Sequence, residues 1–171
     1  ITNRHIPETT SISGSKIWDD ANNQDGKRPT SITVKLLANG TAIKTMSVTP
    51  DTVGNWNYSF TDLPVYANGE KITYTVEEEA VAGYVATIEG TTITNRHIPE
   101  TTSISGSKIW DDANNQDGKR PTKITVTLLA NGVPTASKEV TADDNWQFSF
   151  ENLPKYANGE KITYRIEETA V

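Results

Sequence analysis

The stretch SISGSKIWDDANNQDGKRP occupies residues 11–29, and all nineteen residues return unchanged at residues 103–121. An identity of this length does not arise by chance, so the chain contains an internal repeat. Apolar and polar residues alternate over the first half of the stretch, which is typical of a β-strand with one buried face. The alternation places Lys16 on the same face as Ile12, Gly14 and Trp18. A lysine on a face that should be buried requires an explanation.

The repeat extends well beyond this stretch. Residues 1–30 recur at 93–122, a period of 93 − 1 = 92 residues. The later segments also align, except that the second copy is two residues shorter before Trp146, so Glu78 corresponds to Glu168. Solenoid repeats are usually about 20–50 residues long. The longer period therefore predicts tandem, self-contained domains.

Each repeat contains a series of short alternating segments separated by turn residues such as Asn-Gly and Ala-Gly. The predicted strands of the first repeat are residues 11–19, 32–37, 43–48, 56–60, 72–78, 84–88 and 91–95. No window has convincing helical periodicity. Strands at this regular spacing predict an all-β chain of antiparallel β-sandwiches.

The repeat boundaries divide the chain into three predicted parts. Residues 1–8 correspond to the last strand and linker of a preceding repeat, residues 9–98 to a complete repeat, and residues 99–171 to a second repeat without its last strands. An unpaired strand at one end and an open sheet edge at the other are complementary. We therefore predict that residues 1–3 of one molecule can fill the open edge of another.

Composition restricts the partners of the chain. It has 171 residues, a net charge of −6 and no cysteine. The absence of a basic patch argues against nucleic-acid partners and anionic membrane surfaces. No apolar run reaches the roughly 18 residues that a membrane span needs, so we expect no membrane insertion in this fragment of a longer protein. Without disulfides, an extracellular domain needs another means of stabilisation.

Several motifs in combination resemble a known family. The segments GSKIWDDANNQDGKRP, LLANG, NWxxxFxxLPxYxxGxxIxYxxxE and TITN closely resemble the B-type repeat of the staphylococcal collagen-binding adhesin. The resemblance covers essentially the whole chain. It implies prealbumin-like (inverse immunoglobulin) sandwiches that form the stalk of an extracellular, cell-wall-anchored Gram-positive protein, with its anchor outside this fragment. The implied partners are neighbouring repeats, and the host ligand of the adhesive head is unknown.

The resemblance also implies a covalent cross-link. In many members of the family an isopeptide bond forms spontaneously between a lysine on the first strand and an asparagine on the last, assisted by a glutamate. In the first repeat these residues match Lys16, Asn95 and Glu78. Such a reaction consumes the protein's own side chains once, so the resemblance implies autocatalytic maturation and no enzyme function.

The second repeat contains only part of this set. Lys108 and Glu168 match the lysine and the glutamate, but the matching asparagine is absent. Asn3 could supply it, and only from another molecule. Glu78 and Glu168 are accordingly the candidate catalytic residues, acting as proton shuttles.

The chemistry of the three residues is reasonable on physical grounds. An amine attacks an amide only when it is neutral, and burial lowers the pKa of a lysine. Burial also favours the protonated form of a carboxyl group, so we expect Glu78 to polarise the Asn95 carbonyl and to shuttle protons as ammonia leaves. Glu77 points to the other face of its strand.

Each residue taken alone has a simpler interpretation. Lys16 could be an edge-strand lysine whose amine reaches solvent, Glu78 a solvated acid and Asn95 a linker residue capping a turn. The joint match to the family favours the cross-link.

Other sites are not supported. If Gly26 of the segment DDANNQDG, residues 19–26, takes the sixth position of a calcium loop, Ala21 and Ile32 stand at the first and twelfth positions, where carboxylates are required. His5 and His97 have no second ligand nearby in sequence, so no metal or cofactor is predicted. We predict instead a polar turn held by Asn and Asp side chains and braced by Arg28 through a carboxylate.

An alternative function is a ligand-binding module that recognises a host protein or glycan through its loops. A binding face would need clustered exposed aromatic residues. The four tryptophans fall instead at alternating core positions. The stalk function is therefore favoured.

Overall fold

The computed structural model describes residues 1–171, which form two compact units. The first comprises Ile1–Asn23 and Lys27–Ile98, and the second comprises Gln24–Gly26 and Pro99–Val171. Both are built from strands packed in sheets, so the predicted all-β sandwich class is confirmed. The structure contains no helix with the length and apolar character needed to cross a membrane.

The first unit contains nine strands. They are β1 Thr9–Asp19, β2 Ile32–Ala38, β3 Thr41–Val48, β4 Trp56–Pro64, β5 Tyr66–Ala67, β6 Glu70–Lys71, β7 Tyr74–Glu78, β8 Val85–Glu89 and β9 Thr92–Arg96. One sheet has the order β4-β1-β9-β8, a second has the order β3-β2-β7, and β5 and β6 form a small ribbon. Only β5 and β6 have no counterpart among the strands predicted from sequence.

The core of the first unit lies between its two larger sheets. Alternate residues of β4 are buried, as the period of a strand requires. The buried cluster consists of Ile32, Val34, Leu36, Val48, Trp56, Tyr58, Phe60, Leu63, Val76 and Ile93. Burying one large apolar side chain contributes about 1.5–3 kcal/mol, so this cluster is a major source of stability for the unit.

The first and last strands of this unit are neighbours. β1 pairs antiparallel with β4 but parallel with β9, with Lys16 opposite Ile93 and Trp18 opposite Asn95. This parallel pair was not predicted, because residue alternation identifies a strand and not its partner. Since the two strands run in the same direction, the chain enters and leaves this sheet at opposite ends.

The second unit repeats part of this arrangement. Its elements are β10 Thr101–Ser107, β11 Lys123–Ala130, β12 Val133–Thr141, a 3₁₀ turn Ala142–Asp144, β13 Gln147–Pro154, β14 Tyr156–Ala157, β15 Glu160–Lys161 and β16 Tyr164–Glu168. β10 pairs with β13, and β11 lies between β12 and β16. The core of this unit contains Ile124, Val126, Leu128, Val140 and Phe150.

Identical sequences form strands of different length in the two units. β1 has 11 residues, whereas β10 has 7 and ends at Ser107. The C-terminal half of β1 pairs with β9, but no strand pairs with the corresponding residues 108–111. Tertiary pairing therefore decides where the strand ends.

The segment at residues 1–8 forms no strand in this structure, and its residues are exposed. The strand formed by residues 1–3 with another molecule stays a prediction.

Candidate cross-linking site

Lys16 lies on the inner face of β1, between Trp56 of β4 and Ile93 of β9. Its side chain is 0% exposed, so the amine does not reach solvent. Nζ donates a hydrogen bond of 2.6 Å to Oε1 of Glu78. Burial lowers the pKa of the Lys16 amine, although the hydrogen bond and the charge of Glu78 act in the opposite direction.

Glu78 is the last residue of β7 and belongs to the opposite sheet. Its side chain is 1% exposed, whereas Glu77, which precedes it, is exposed. The alternation of β7 thus selects Glu78, as predicted. The Lys16–Glu78 ion pair connects the two sheets of the sandwich across the core.

Asn95 completes the cluster from β9, where it is fully buried. It lies within the strand and not in a linker. Its Nδ2 donates to Oε1 of Glu78 over 3.2 Å, so the same carboxylate oxygen accepts from both the lysine and the asparagine. An amine, a carboxylate and a carboxamide are thereby brought together away from water.

The orientation of the amide differs from our expectation. Glu78 faces the nitrogen of Asn95, and not its carbonyl oxygen. Oδ1 of Asn95 and Oε2 of Glu78 are both buried without a hydrogen-bond partner. In this arrangement the carboxylate is placed to exchange protons with the lysine and with the amide nitrogen.

Trp18 lies beside the cluster on the same face of β1. The Lys16 Nζ is 4.6 Å from the centroid of its ring, and Cζ of Arg28 is 5.4 Å from it. Trp56 and Tyr84 contact the indole edge-to-face, at centroid distances of 5.3 and 5.1 Å. Such aromatic pairs prefer this geometry, so the ring is held from several sides. The indole Nε1 is buried and has no hydrogen-bond partner.

The loop after β1 supports this wall of the site through Asp20, which is 2% exposed. Arg28 donates to both Asp20 carboxylate oxygens, at 3.1 and 2.6 Å, and Tyr84 donates to Oδ2 at 2.8 Å. The N–H of Asn23 donates to Oδ1, and residues 21–23 have positive φ. The predicted turn, braced by Arg28, is confirmed. Its bond to Tyr84, next to β8, was not predicted.

Burial on its own would raise the pKa of Asp20. The hydrogen bonds from Arg28, Asn23 and Tyr84, together with the charge of Arg28, outweigh it and hold the pKa of that carboxyl below its usual value. The carboxylate is therefore ionised and anchors the loop.

Tyr58 is a second feature that sequence reasoning missed. Its side chain crosses over Gly14 and donates from the hydroxyl to the Thr91 carbonyl over 2.5 Å, just before β9. A methyl group at Gly14 would overlap both of these groups, so the close approach requires glycine. Burial raises the pKa of Tyr58 to about 12. The second unit has Phe148 in place of Tyr58, and this difference between the copies is a signal that could have identified the contact.

The second unit contains the corresponding ion pair without the asparagine. Lys108 Nζ lies 2.9 Å from Oε2 of Glu168, and the two side chains are 23% and 31% exposed. Lys108 is 4.6 Å from the ring of Trp110, the same distance as in the first unit. Asn3 is exposed, and no strand covers Lys108 as β9 covers Lys16. This half of the site is open to solvent.

A family model described as the Cna protein B-type domain matches residues 12–96 and 104–171. The collagen adhesin of Staphylococcus aureus is 50% identical over 169 residues, which are 98% of this chain and 14% of the adhesin. The chain therefore spans about one seventh of the length of this relative.

Two solved structures from the collagen-binding surface protein of Staphylococcus aureus are also similar. A single B repeat unit is 48% identical, with 96% of this chain and 87% of that chain covered and a TM-score of 0.51. A pair of B repeat units is 48% identical, with 98% of this chain and 45% of that chain covered and a TM-score of 0.54. This chain thus covers most of the single repeat unit and a little less than half of the pair.

Proposed function

This chain belongs to the family of Cna protein B-type domains, and on that premise we propose that it is a stalk segment of a Gram-positive surface adhesin, strengthened by an isopeptide bond between Lys16 and Asn95. Its tandem, prealbumin-like sandwiches act as spacers that hold an adhesive head away from the cell. The buried cluster of Lys16, Glu78 and Asn95 between the first and last strands is the observation that carries this proposal.

The reaction begins with a proton transfer. Nζ of Lys16 gives a proton to Glu78 across their 2.6 Å hydrogen bond, which leaves a neutral amine and a neutral carboxylic acid. The desolvation that lowers the pKa of Lys16 favours this step. The amine then attacks Cγ of Asn95, forming a C–N bond and a tetrahedral intermediate.

Collapse of the intermediate breaks the bond between Cγ and Nδ2. Glu78 donates its proton to Nδ2, which is 3.2 Å from the Glu78 oxygen, so that nitrogen can leave. The excess proton on the attacking nitrogen also passes to the departing group. In the overall reaction, the ammonium group of Lys16 and the carboxamide of Asn95 become a secondary amide and a free ammonium ion. Glu78 ends as a carboxylate, and the reaction occurs once per site.

The position of the bond between the first and last strands allows it to resist mechanical force. β1 and β9 are parallel neighbours that lead to the two ends of the first unit, so a pull on those ends shears one strand against the other. An amide between their side chains bears that load. It also closes a large loop, as a disulfide does in other extracellular domains, in a chain without cysteine.

The position of the tryptophans argues for a spacer over a ligand-binding module. Trp56 belongs to the buried core, Trp18 packs against it, and Trp110 and Trp146 pack against the core of the second unit. None of them forms an exposed aromatic face. Binding of collagen, for which the relative is named, is accordingly assigned to other parts of the whole protein.

For the second unit we extend the proposal to a bond between molecules. The open Lys108–Glu168 pair lacks only an amide and a covering strand, and residues 1–3 of another molecule provide Asn3 within a strand sequence identical to residues 93–95. A head-to-tail covalent multimer results. It should disappear from denaturing gels in both Asn3→Ala and Lys108→Ala, and a chain that stays monomeric at high concentration would overturn this part of the proposal.

The test of the intramolecular bond is the intact mass of the denatured chain. In the monomeric species we expect a deficit of one ammonia relative to the mass calculated from the sequence, and the full mass in Lys16→Ala, Asn95→Ala and Glu78→Gln. The matched control, Lys108→Ala, should keep the deficit in the monomer. A wild-type chain of full mass would refute the proposed cross-link.

A further inference from the structure

The proposed reaction places a negative charge on the carbonyl oxygen of Asn95 when the amine adds to Cγ. Stabilising such an oxyanion by a fixed hydrogen-bond donor is usually a large part of catalysis of acyl transfer. In this arrangement Glu78 faces Nδ2 and makes no hydrogen bond to the carbonyl oxygen. Oδ1 is buried and lacks any donor in the structure. A fixed donor to this oxygen would therefore stabilise the oxyanion.

Trp18 is in the right place to supply it. The parallel register of β1 and β9 sets Trp18 directly opposite Asn95. Paired residues of neighbouring strands project from the same face of a sheet, so both side chains lie on the inner face. Nε1 of Trp18 is a buried donor without an acceptor, and Oδ1 of the residue opposite it is a buried acceptor without a donor. Buried polar groups are normally paired, so two unpaired groups on facing residues indicate a bond made at another stage.

We propose that the indole N–H of Trp18 donates a hydrogen bond to Oδ1 of Asn95 as that oxygen becomes negatively charged, which makes Trp18 a catalytic residue of the cross-linking reaction. This role rests on the proposed isopeptide function. The oxygen moves out of the amide plane as Cγ becomes tetrahedral, and catalytic hydrogen bonds often tighten only at that stage.

The donor is in position before the last strand arrives. In the second unit, where no strand pairs with residues 108–111, Lys108 and Arg120 lie 4.6 and 5.4 Å from the ring of Trp110, the same distances as in the first unit. Trp146 also contacts Trp110 edge-to-face, and Nε1 of Trp110 is again buried without a partner. A donor fixed in advance costs no reorganisation during the reaction, which is the condition under which it is most effective.

The test measures the rate of ammonia loss in the full chain. The protein is made in a short pulse of cell-free synthesis, samples are denatured in acid at intervals, and the fraction with the mass deficit is followed. Trp18→Phe keeps an aromatic ring at this position but removes the N–H. We expect a rate about 10²–10³-fold lower, the usual effect of deleting one oxyanion donor. The matched control is Trp110→Phe, which removes the same N–H from the unit that lacks the asparagine, and the first unit of that variant should react at close to the wild-type rate.

A second variant separates chemistry from packing. Replacing Trp18 with benzothienylalanine keeps the bicyclic shape and exchanges only the N–H for sulfur, so it should react as slowly as Trp18→Phe. Stability is compared between Asn95→Ala chains with and without each substitution, so that no cross-link contributes. A benzothienylalanine chain that reacts at the wild-type rate overturns the role of Trp18. A wild-type chain that never loses ammonia overturns the proposed function itself.

Discussion

Lys16 donates to Glu78 over 2.6 Å with both side chains screened from water, whereas the corresponding pair of Lys108 and Glu168 is 23% and 31% exposed. The difference arises because β9 covers the first pair and no strand covers the second. The chain thus contains the same ion pair in a buried and in a partly solvated setting.

The two settings predict that replacing the lysine reduces the stability of the two units by different amounts. In an Asn95→Ala background, which cannot form the cross-link, Lys16→Met should destabilise the first unit by about 3–5 kcal/mol, because it leaves a buried carboxylate without its cation. Lys108→Met should cost about 1 kcal/mol or less. Hydrogen exchange of core amides in β2 and β11 reports the free energy of unfolding of each unit separately. Equal costs in the two units would contradict this prediction.

The lowered pKa of Lys16 predicts a pH dependence of stability. Between that lowered pKa and 10.5, the value for the unfolded chain, the folded state binds fewer protons than the unfolded state. Stability should therefore rise with pH across this window in the uncross-linked Asn95→Ala variant. Urea denaturation at a series of pH values measures the effect. The control is Lys16→Met with Asn95→Ala, whose stability should lack this rise.

The lowered pKa of Asp20 predicts a pH dependence of stability at acidic pH. Its pKa in the folded state lies below the ordinary value of 3.8, so its contribution to stability is fully present above that pH and is lost as the pH falls below it. Asp20→Asn should therefore destabilise the first unit at pH 7, and by less at pH 2. Hydrogen-exchange protection of β2 amides at each pH, again in the Asn95→Ala background, measures the difference. An unchanged difference would show that the charge of Asp20 is not involved.

Alternation along the strands was enough to identify most of the first unit. It placed Lys16 inside and distinguished Glu78 from Glu77, because side chains of a strand point to opposite faces in turn. The family resemblance added Asn95, which no local pattern would have selected. The features that the sequence did not reveal depend on contacts between distant segments. They are the parallel pairing of β1 with β9, the shorter β10, the orientation of the Asn95 amide and the Tyr58–Thr91 hydrogen bond.

The Tyr58 contact predicts that the tyrosine hydroxyl stabilises the first unit but would not stabilise the second. Tyr58→Phe leaves the Thr91 carbonyl without its donor and should destabilise the first unit by about 1–3 kcal/mol in the Asn95→Ala background. The reverse change in the second unit, Phe148→Tyr, should give no gain, because no strand offers a carbonyl to the new hydroxyl. Hydrogen exchange of the two cores again provides the measurement. A gain in the second unit equal to the loss in the first would exclude the Thr91 bond as the cause.

The mechanical consequence of the cross-link is the most direct prediction for a stalk. A bond from Lys16 to Asn95 encloses residues 17–94, or 94 − 17 + 1 = 78 residues, which cannot extend when the ends of the first unit are pulled apart. An extended chain gains at most about 3.3–3.6 Å per residue, so Asn95→Ala should release roughly 260–280 Å of additional length when that unit unfolds. Single-molecule force spectroscopy measures this increment. The second unit, which has no such bond within the chain, should unfold and extend in both proteins and provides an internal standard. A wild-type chain in which both units release their full length would show that no covalent bond joins the first and last strands of the first unit.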